Sequence, residues 1–232
     1  MGNDIFHKNI PLLEKLINHK RGLSCKLSDP VKQQLYEIYQ KTEDLWCRNL
    51  EKIDTEIKYI LIGEAPPWTF CSNVSYFYEQ PTGPLISTVR KAFKDEMPKN
   101  RAETYDILAR NGFLLVDSLP YSMPYTSRQR NSVSYRELVK ACSGWWINKL
   151  KKSGKTFSKD LKIALGYYWN GLQLINALGG ETEIKNNRLK TLKSAELNIG
   201  SVRFQFDTNN LISNKETGYM PSSEKIKGVY RI

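Results

Sequence analysis

The 232-residue sequence is short of histidine: only His7 and His19 occur, both near its start. Any mechanism that needs an imidazole in the body of the chain is therefore excluded. Cysteine is scarce as well. Cys25, Cys47, Cys71 and Cys142 are far apart and form no CxxC pair, so free thiols are expected rather than a disulfide framework or a zinc site. Long hydrophobic runs are missing, and no stretch approaches the ~20 apolar residues that cross a bilayer. Met1 to Pro11 lacks a basic segment followed by an apolar one, which argues against a secretory signal and for a cytoplasmic protein with no membrane partner. The GxSxG elbow, the P-loop and the dinucleotide GxGxxG do not occur, which weighs against an α/β hydrolase or a nucleotide-binding enzyme. There is no internal repeat and no low-complexity tract.

What the chain does have is positive charge. Lys and Arg number 35 against 24 Asp and Glu, a net charge of +11. That excess suits a polyanionic partner, because phosphate contacts release condensed counterions; a solvated basic surface is the plainer alternative. Apolar residues at 40% and charged residues at 25% are ordinary globular usage. The length suits one generous domain at ~150 residues per domain. It reads as a helical extension over residues 1–56, packed on the outside of an α/β domain over 57–232.

Asp29-Pro30 starts a long amphipathic helix, with Asp29 as its cap and Leu35, Ile38, Leu45, Trp46, Leu50 and Ile53 at helical spacing. Strands are predicted at Ile57–Ile62, Phe113–Asp117, Leu161–Leu165 and Val202–Phe206, with helical patterns between them. Asn111-Gly112 ends one of those helices. Alternation of this kind predicts a three-layer α/β/α sandwich around a central, mainly parallel four-stranded sheet. Ligands of such sheets bind beyond the carboxyl ends of the strands. Glu64, in Gly63-Glu64-Ala65-Pro66-Pro67-Trp68, and Asp117, ahead of Pro120, Tyr121, Pro124 and Tyr125, are thus expected on one edge. A solvated loop Glu and a turn-capping Asp are the structural alternatives.

Ile60-Leu61-Ile62-Gly63-Glu64-Ala65-Pro66 resembles the first motif of the uracil-DNA glycosylase superfamily, in the branch whose motif reads GEAPG. Further segments follow in the family's order. Gly83-Pro84-Leu85-Ile86 looks like the start of its next helix. Val116-Asp117-Ser118-Leu119 with Arg130-Asn131 resembles the NVVK segment and the Asn-Arg after it, and Lys140 to Trp146 resembles the AC-x-PYL helix. Lys162-Ile163-Ala164-Leu165-Gly166 is similar to the IVALG strand. The likeness spans residues 57–225 and departs from the family at marked places. Met220-Pro221-Ser222 stands where the family has His-Pro-Ser, Asp117 matches the Asn that reads uracil, and Pro67 follows Pro66 where the family has Gly. Only Cys142 matches an iron–sulfur ligand, so no cluster and no other cofactor is implied.

The resemblance implies a monomeric, monofunctional DNA glycosylase for repair of double- or single-stranded DNA. It would flip out a damaged or modified base, uracil or a modified pyrimidine, and hydrolyse its N-glycosidic bond. A nucleic-acid-binding relative without chemistry is the alternative. Glu64 takes the catalytic carboxylate's place. The backbone of Ala65, Pro66 and Trp68 borders the base, Tyr78 beside Phe77 stacks on it, and Asp117 reads its edge. Being ionised, Asp117 would accept from an exocyclic amine or an added hydroxyl and repel O4 of uracil. Arg128, Arg130, Arg136 and Lys140 are expected on phosphates, and Pro221, Ser222 and Ser223 in the minor groove, with Lys225 and Ile226 as a wedge. Lys149, Lys151, Lys152, Lys155, Lys159 and Lys162 read as a solvated helix end and loop.

Overall fold

The computed structural model of the chain describes residues 3–18, 26–68, 76–78, 84–93, 101–185, 188–199, 202–213 and 221–232. His19, Cys25, Cys71, Gly83 and Met220 lie outside the described residues. Three helices come first: α1 (Asn3–Lys8), α2 (Ile10–Asn18) and α3 (Asp29–Glu51). Ser28, not Asp29, holds the cap position of α3, because its extended backbone lets Asp29 and Pro30 enter the first turn.

Strand β1 (Ile57–Gly63) carries Ile60, Leu61 and Ile62, each essentially inaccessible. Consecutive strand residues point to opposite faces, so both faces of β1 are covered, as an inner parallel strand requires. Two helices, α4 (Pro84–Phe93) and α5 (Arg101–Arg110), lead to β2 (Phe113–Asp117). Gly112 sets the entry to β2 with a left-handed φ of 68°. A side chain there would meet the carbonyl of Glu56 at 2.3 Å, and its own carbonyl accepts from the amides of Lys58 and Tyr59. Beyond β2 lie α6 (Ser127–Arg130), α7 (Val133–Lys151), β3 (Phe157–Leu165) and α8 (Tyr168–Ala177). The sheet is parallel in the order β2-β1-β3, with Gly63 opposite Asp117 and Ile62 opposite Leu165.

The expected fourth parallel strand is corrected. After the hairpin of β4 (Glu181–Lys185) and β5 (Arg188–Lys193), Val202–Phe206 forms β7, antiparallel to β6 (Ala195–Ile199). Alternation of Val202, Phe204 and Phe206 reports a half-covered strand but not its neighbour or direction. Beside β3, a single parallel bridge joins Leu165 to Leu211, and the Ile212 amide donates to the Leu165 carbonyl at 3.1 Å. Helix α9 (Ser223–Tyr230) returns to the sheet, where the Tyr230 hydroxyl donates to the Ile60 carbonyl at 3.0 Å.

Residues of the N-terminal helices share this core. Phe6, Leu13 and Leu16 are fully buried in the same apolar cluster as the strands. Phe6 stacks on Tyr39 and packs on Tyr121, whose hydroxyl donates to the Phe6 carbonyl at 2.6 Å.

Candidate active site

β1 and β2 end side by side, and their first loop residues are tied together. The Ser118 amide donates to the Gly63 carbonyl at 3.1 Å and the Leu119 amide to the Glu64 carbonyl at 2.9 Å. Ser122 Oγ donates to the Pro67 carbonyl at 2.7 Å. Glu64 and Asp117 thus stand at the same end of adjacent parallel strands, both buried.

Glu64 is a bound carboxylate. Arg130 donates to it twice, Nε to Oε1 and Nη2 to Oε2, both at 2.6 Å. The Tyr135 hydroxyl donates to Oε1 at 2.5 Å. Asn170 Nδ2 donates to that hydroxyl and to Ser118 Oγ, both at 3.0 Å, and Ser118 Oγ donates to the Glu64 carbonyl at 3.1 Å. Burial foremost, then the Glu64 charge, push the Tyr135 hydroxyl well above its ordinary range, so it stays a donor. Three donors on a group with roughly four lone-pair directions leave one direction open, on Oε2.

This arrangement corrects the expectation for Arg130. The short helix α6, closed by a capping box between Thr126 and Gln129, aims the arginine at Glu64 and spends its fork there. Arg128, Arg136 and Lys140 are all exposed, and Arg136 also donates through Nε to the buried Gln173 at 2.8 Å.

Asp117 is placed differently. Its Oδ2 is sealed from solvent and has no partner. Burial pushes its carboxyl up to about 7; the charges of Glu64 and Glu43 add to this, and Lys149 and a hydrogen bond from Tyr76 oppose it. The neighbouring aromatic is thus Tyr76. Tyr78, expected to stack on a base, is buried with its hydroxyl in the backbone of β2, accepting from the Leu115 amide at 2.8 Å and donating to the Leu115 carbonyl at 3.3 Å. Phe77 is buried edge-on to Tyr78. Pro66 is buried, whereas Ala65 and Trp68 are partly exposed. Since prolines carry no amide hydrogen, only Ala65 and Trp68 have backbone donors in that turn.

Two further expectations are corrected. Ile226 is fully inaccessible, because it lies on the inner side of α9, and cannot serve as a wedge. Ser222 caps that helix by accepting from the Lys225 amide at 3.3 Å, while Pro221, Ser223 and Lys225 are partly exposed. Lys149 is not part of a solvated cluster. Its ammonium sits over the rings of Trp46 and Trp145, 4.2 and 4.7 Å from their centroids, and pairs with Glu43 at 2.5 Å. Glu43, Trp46, Trp145 and Lys149 line a groove of about 570 Å³ between α3 and α7, whose charges reach Asp117.

Tyr135, Asn170 and Ser118 were not singled out in the sequence. The available signal was position: Tyr135 precedes Leu138 and Val139, and Asn170 precedes Leu174, at helical spacing that turns both toward the core. Among the described residues, no group of three metal-ligating side chains comes together. No helix among them is long and apolar enough to cross a membrane. No family model, curated protein or solved structure matches this chain.

Proposed function

We propose that the protein is a DNA glycosylase-like hydrolase that flips a damaged or modified base out of DNA and cleaves its N-glycosidic bond. The observation that carries this reading is the pairing of two buried carboxylates, Glu64 and Asp117, at the carboxyl ends of adjacent parallel strands. The motif order from Gly63 to Ser222 supports it, as does the net charge of +11. In the proposed domain the single Leu165–Leu211 bridge takes the place of the fourth parallel strand of a three-layer sandwich.

In the reaction the bond from C1′ to the base nitrogen breaks, and its electron pair leaves with the base. Water bonds to C1′, and its proton passes to the base or to solvent. Positive charge on the sugar is stabilised by the Glu64 carboxylate, whose free Oε2 direction is the place for a water. Tyr135 and Asn170 hold that carboxylate in one orientation. Ala65 and Trp68 are the backbone donors near the departing base. Arg128, Lys140 and Lys225 supply contacts to DNA phosphates.

One observation favours a second reading, a pocket that binds nucleic acid without chemistry. Arg130 neutralises Glu64 with two hydrogen bonds, which weakens the carboxylate toward a developing cation. One experiment separates the two. Oligonucleotides carrying uracil, 5-modified uracils, deaminated purines or modified cytosines are incubated with the protein and scored for abasic sites. Excision that Glu64→Gln abolishes supports the hydrolase. DNA binding with no abasic product from any of them supports the second reading.

A further inference from the structure

The groove between α3 and α7, about 570 Å³ in volume, has no part in the chemistry at the strand ends. Pockets that hold small molecules run from roughly 300 to 1,000 Å³, are mainly apolar, and carry a few convergent polar groups. This groove has that make-up. Trp46 and Leu50 on α3 are buried at its floor, and Trp145 on α7 is partly exposed along its side. The walls are also set in advance. The Trp46 indole N–H donates to the Leu115 carbonyl of β2 at 3.0 Å, which fixes that ring against the central sheet. The Lys149 ammonium lies 4.2 Å from the ring centroid of Trp46 and 4.7 Å from that of Trp145, and pairs with Glu43 at 2.5 Å.

Two observations say what the groove would take. The first is charge. Lys8 of α1 and Lys152 just after α7 line it and are exposed; with Lys149 they set three lysines against the single Glu43, a surplus of two positive charges. A cleft lined by one sign of charge raises the local concentration of the opposite sign, so an anion is favoured. The second is Gly144, which lines the groove next to Trp145 in the interior of α7. Glycine is a poor helix former, and nothing in the packing asks for it here: a Cβ at Gly144 would meet no atom within 4 Å. The missing side chain leaves free space beside the Trp145 ring. A flat apolar body fits such a space against an aromatic face.

We propose that the groove between α3 and α7 binds a small planar aromatic anion, its ring against Trp145 beside Gly144 and its carboxylate or phosphate toward Lys8 and Lys152. Neither Glu64 nor Asp117 lines this groove, and the assignment does not depend on the base-excision reading.

The test titrates the full chain with two probes, 2-naphthoate and adenosine 5′-monophosphate, and with the neutral naphthalene-2-carboxamide. Binding is followed by calorimetry and by the indole N–H signals of Trp46 and Trp145 in NMR. At least one anion should bind with a dissociation constant of about 1 mM or tighter and shift those two signals. A preference for the naphthoate assigns the groove to ring carboxylates, and a preference for the nucleotide assigns it to ring-bearing phosphates. The neutral amide should bind at least about tenfold more weakly than the naphthoate. Gly144→Leu, which fills the groove while improving the helix, should be at least as stable as the wild type and weaken the bound probe about tenfold or more. The double variant Lys8→Glu with Lys152→Glu, both at exposed positions, reverses the charge of the lining and should weaken it similarly. No binding of either anion up to about 10 mM overturns the assignment, as does Gly144→Leu with wild-type affinity. Equal binding of naphthoate and amide overturns it too. A wild-type dimer that Gly144→Leu dissolves gives the groove to a second copy of the chain and overturns the small-ligand assignment.

Discussion

Asp117 and Gly63 are ladder partners, and the carboxylate fills the space that a side chain on the glycine would take. A Cβ on Gly63 would sit 2.3 Å from Asp117 Oδ1. The glycine of the Gly63-Glu64 pair is thus required by its neighbour on β2. Gly63→Ala should cost about 1–3 kcal/mol, the usual range for overpacking a filled site. In the Asp117→Ala background the same change should cost much less. Chemical denaturation of the two single variants and the double variant measures the coupling. Strictly additive losses would place the clash elsewhere.

The Glu64–Arg130 pair makes a second prediction. Removing only the arginine leaves a buried carboxylate without its partner, which typically costs about 3–5 kcal/mol. Arg130→Met should therefore destabilise strongly, and the double variant Glu64→Gln with Arg130→Met should recover much of the loss. The comparison of unfolding free energies at neutral pH checks this. Equal stability of single and double variants would mean that the pair is not closed in solution.

Arg130 also bears on the proposed DNA binding, because its Nε and Nη2 are held by Glu64 and the proposed phosphate contacts fall to other side chains. Arg128 is exposed, and Arg128→Ala should lower the slope of log affinity against log salt by about 1 while leaving stability unchanged. Arg130→Met should weaken binding only through stability. Affinities for one oligonucleotide at several salt concentrations distinguish them. An unchanged slope for Arg128→Ala assigns its charge to solubility.

Much of this architecture was legible because the strands advertise themselves. The run Ile60-Leu61-Ile62 and the run Phe113 to Val116 are apolar at every position, which marks strands buried on both faces. The position of Glu64 and Asp117 followed from the rule for parallel sheets. The failures share a different cause. Val202, Phe204 and Phe206 show that one face is covered, but alternation alone does not tell an antiparallel pairing with the adjacent Ala195–Ile199 from a strand added in parallel to the central sheet. Likewise Arg130 and Lys149 read as free charge, since nothing local reveals a carboxylate 66 residues upstream or a pair of tryptophan faces. Nor does anything local reveal that the Tyr78 hydroxyl is held by the backbone of β2.

Phe6 tests how deeply the first helices are built in. It is wholly inaccessible, touches Tyr36, Tyr39 and Tyr121, and accepts the Tyr121 hydroxyl through its carbonyl. Phe6→Ala should cost about 3–5 kcal/mol if that core is continuous. A single cooperative transition at lower denaturant is the expected result. A loss below about 1 kcal/mol would make the N-terminal helices a loosely held appendage.

The last prediction concerns the pH dependence of stability, and its sign follows from Asp117. In the folded chain the carboxyl titrates at about 7, chiefly because it is buried. In the unfolded chain an aspartate titrates at about 3.9. Between those values the folded state holds a proton that the unfolded state has released. Stability must then fall as pH rises, because the slope follows the protons bound unfolded minus those bound folded. The contribution of Asp117 is fully present below about pH 4, declines at up to about 1.4 kcal/mol per pH unit, and is gone above about pH 7. Asp117→Asn cannot ionise and lacks this loss. Unfolding free energies of wild type and variant across about pH 4 to 8 should therefore diverge, with the variant gaining on the wild type up to about pH 7 and running parallel beyond it. The difference isolates one group, because every other titration is common to both proteins. Curves that stay parallel throughout would mean that Asp117 is ionised in the folded chain and that its buried oxygen has found a donor.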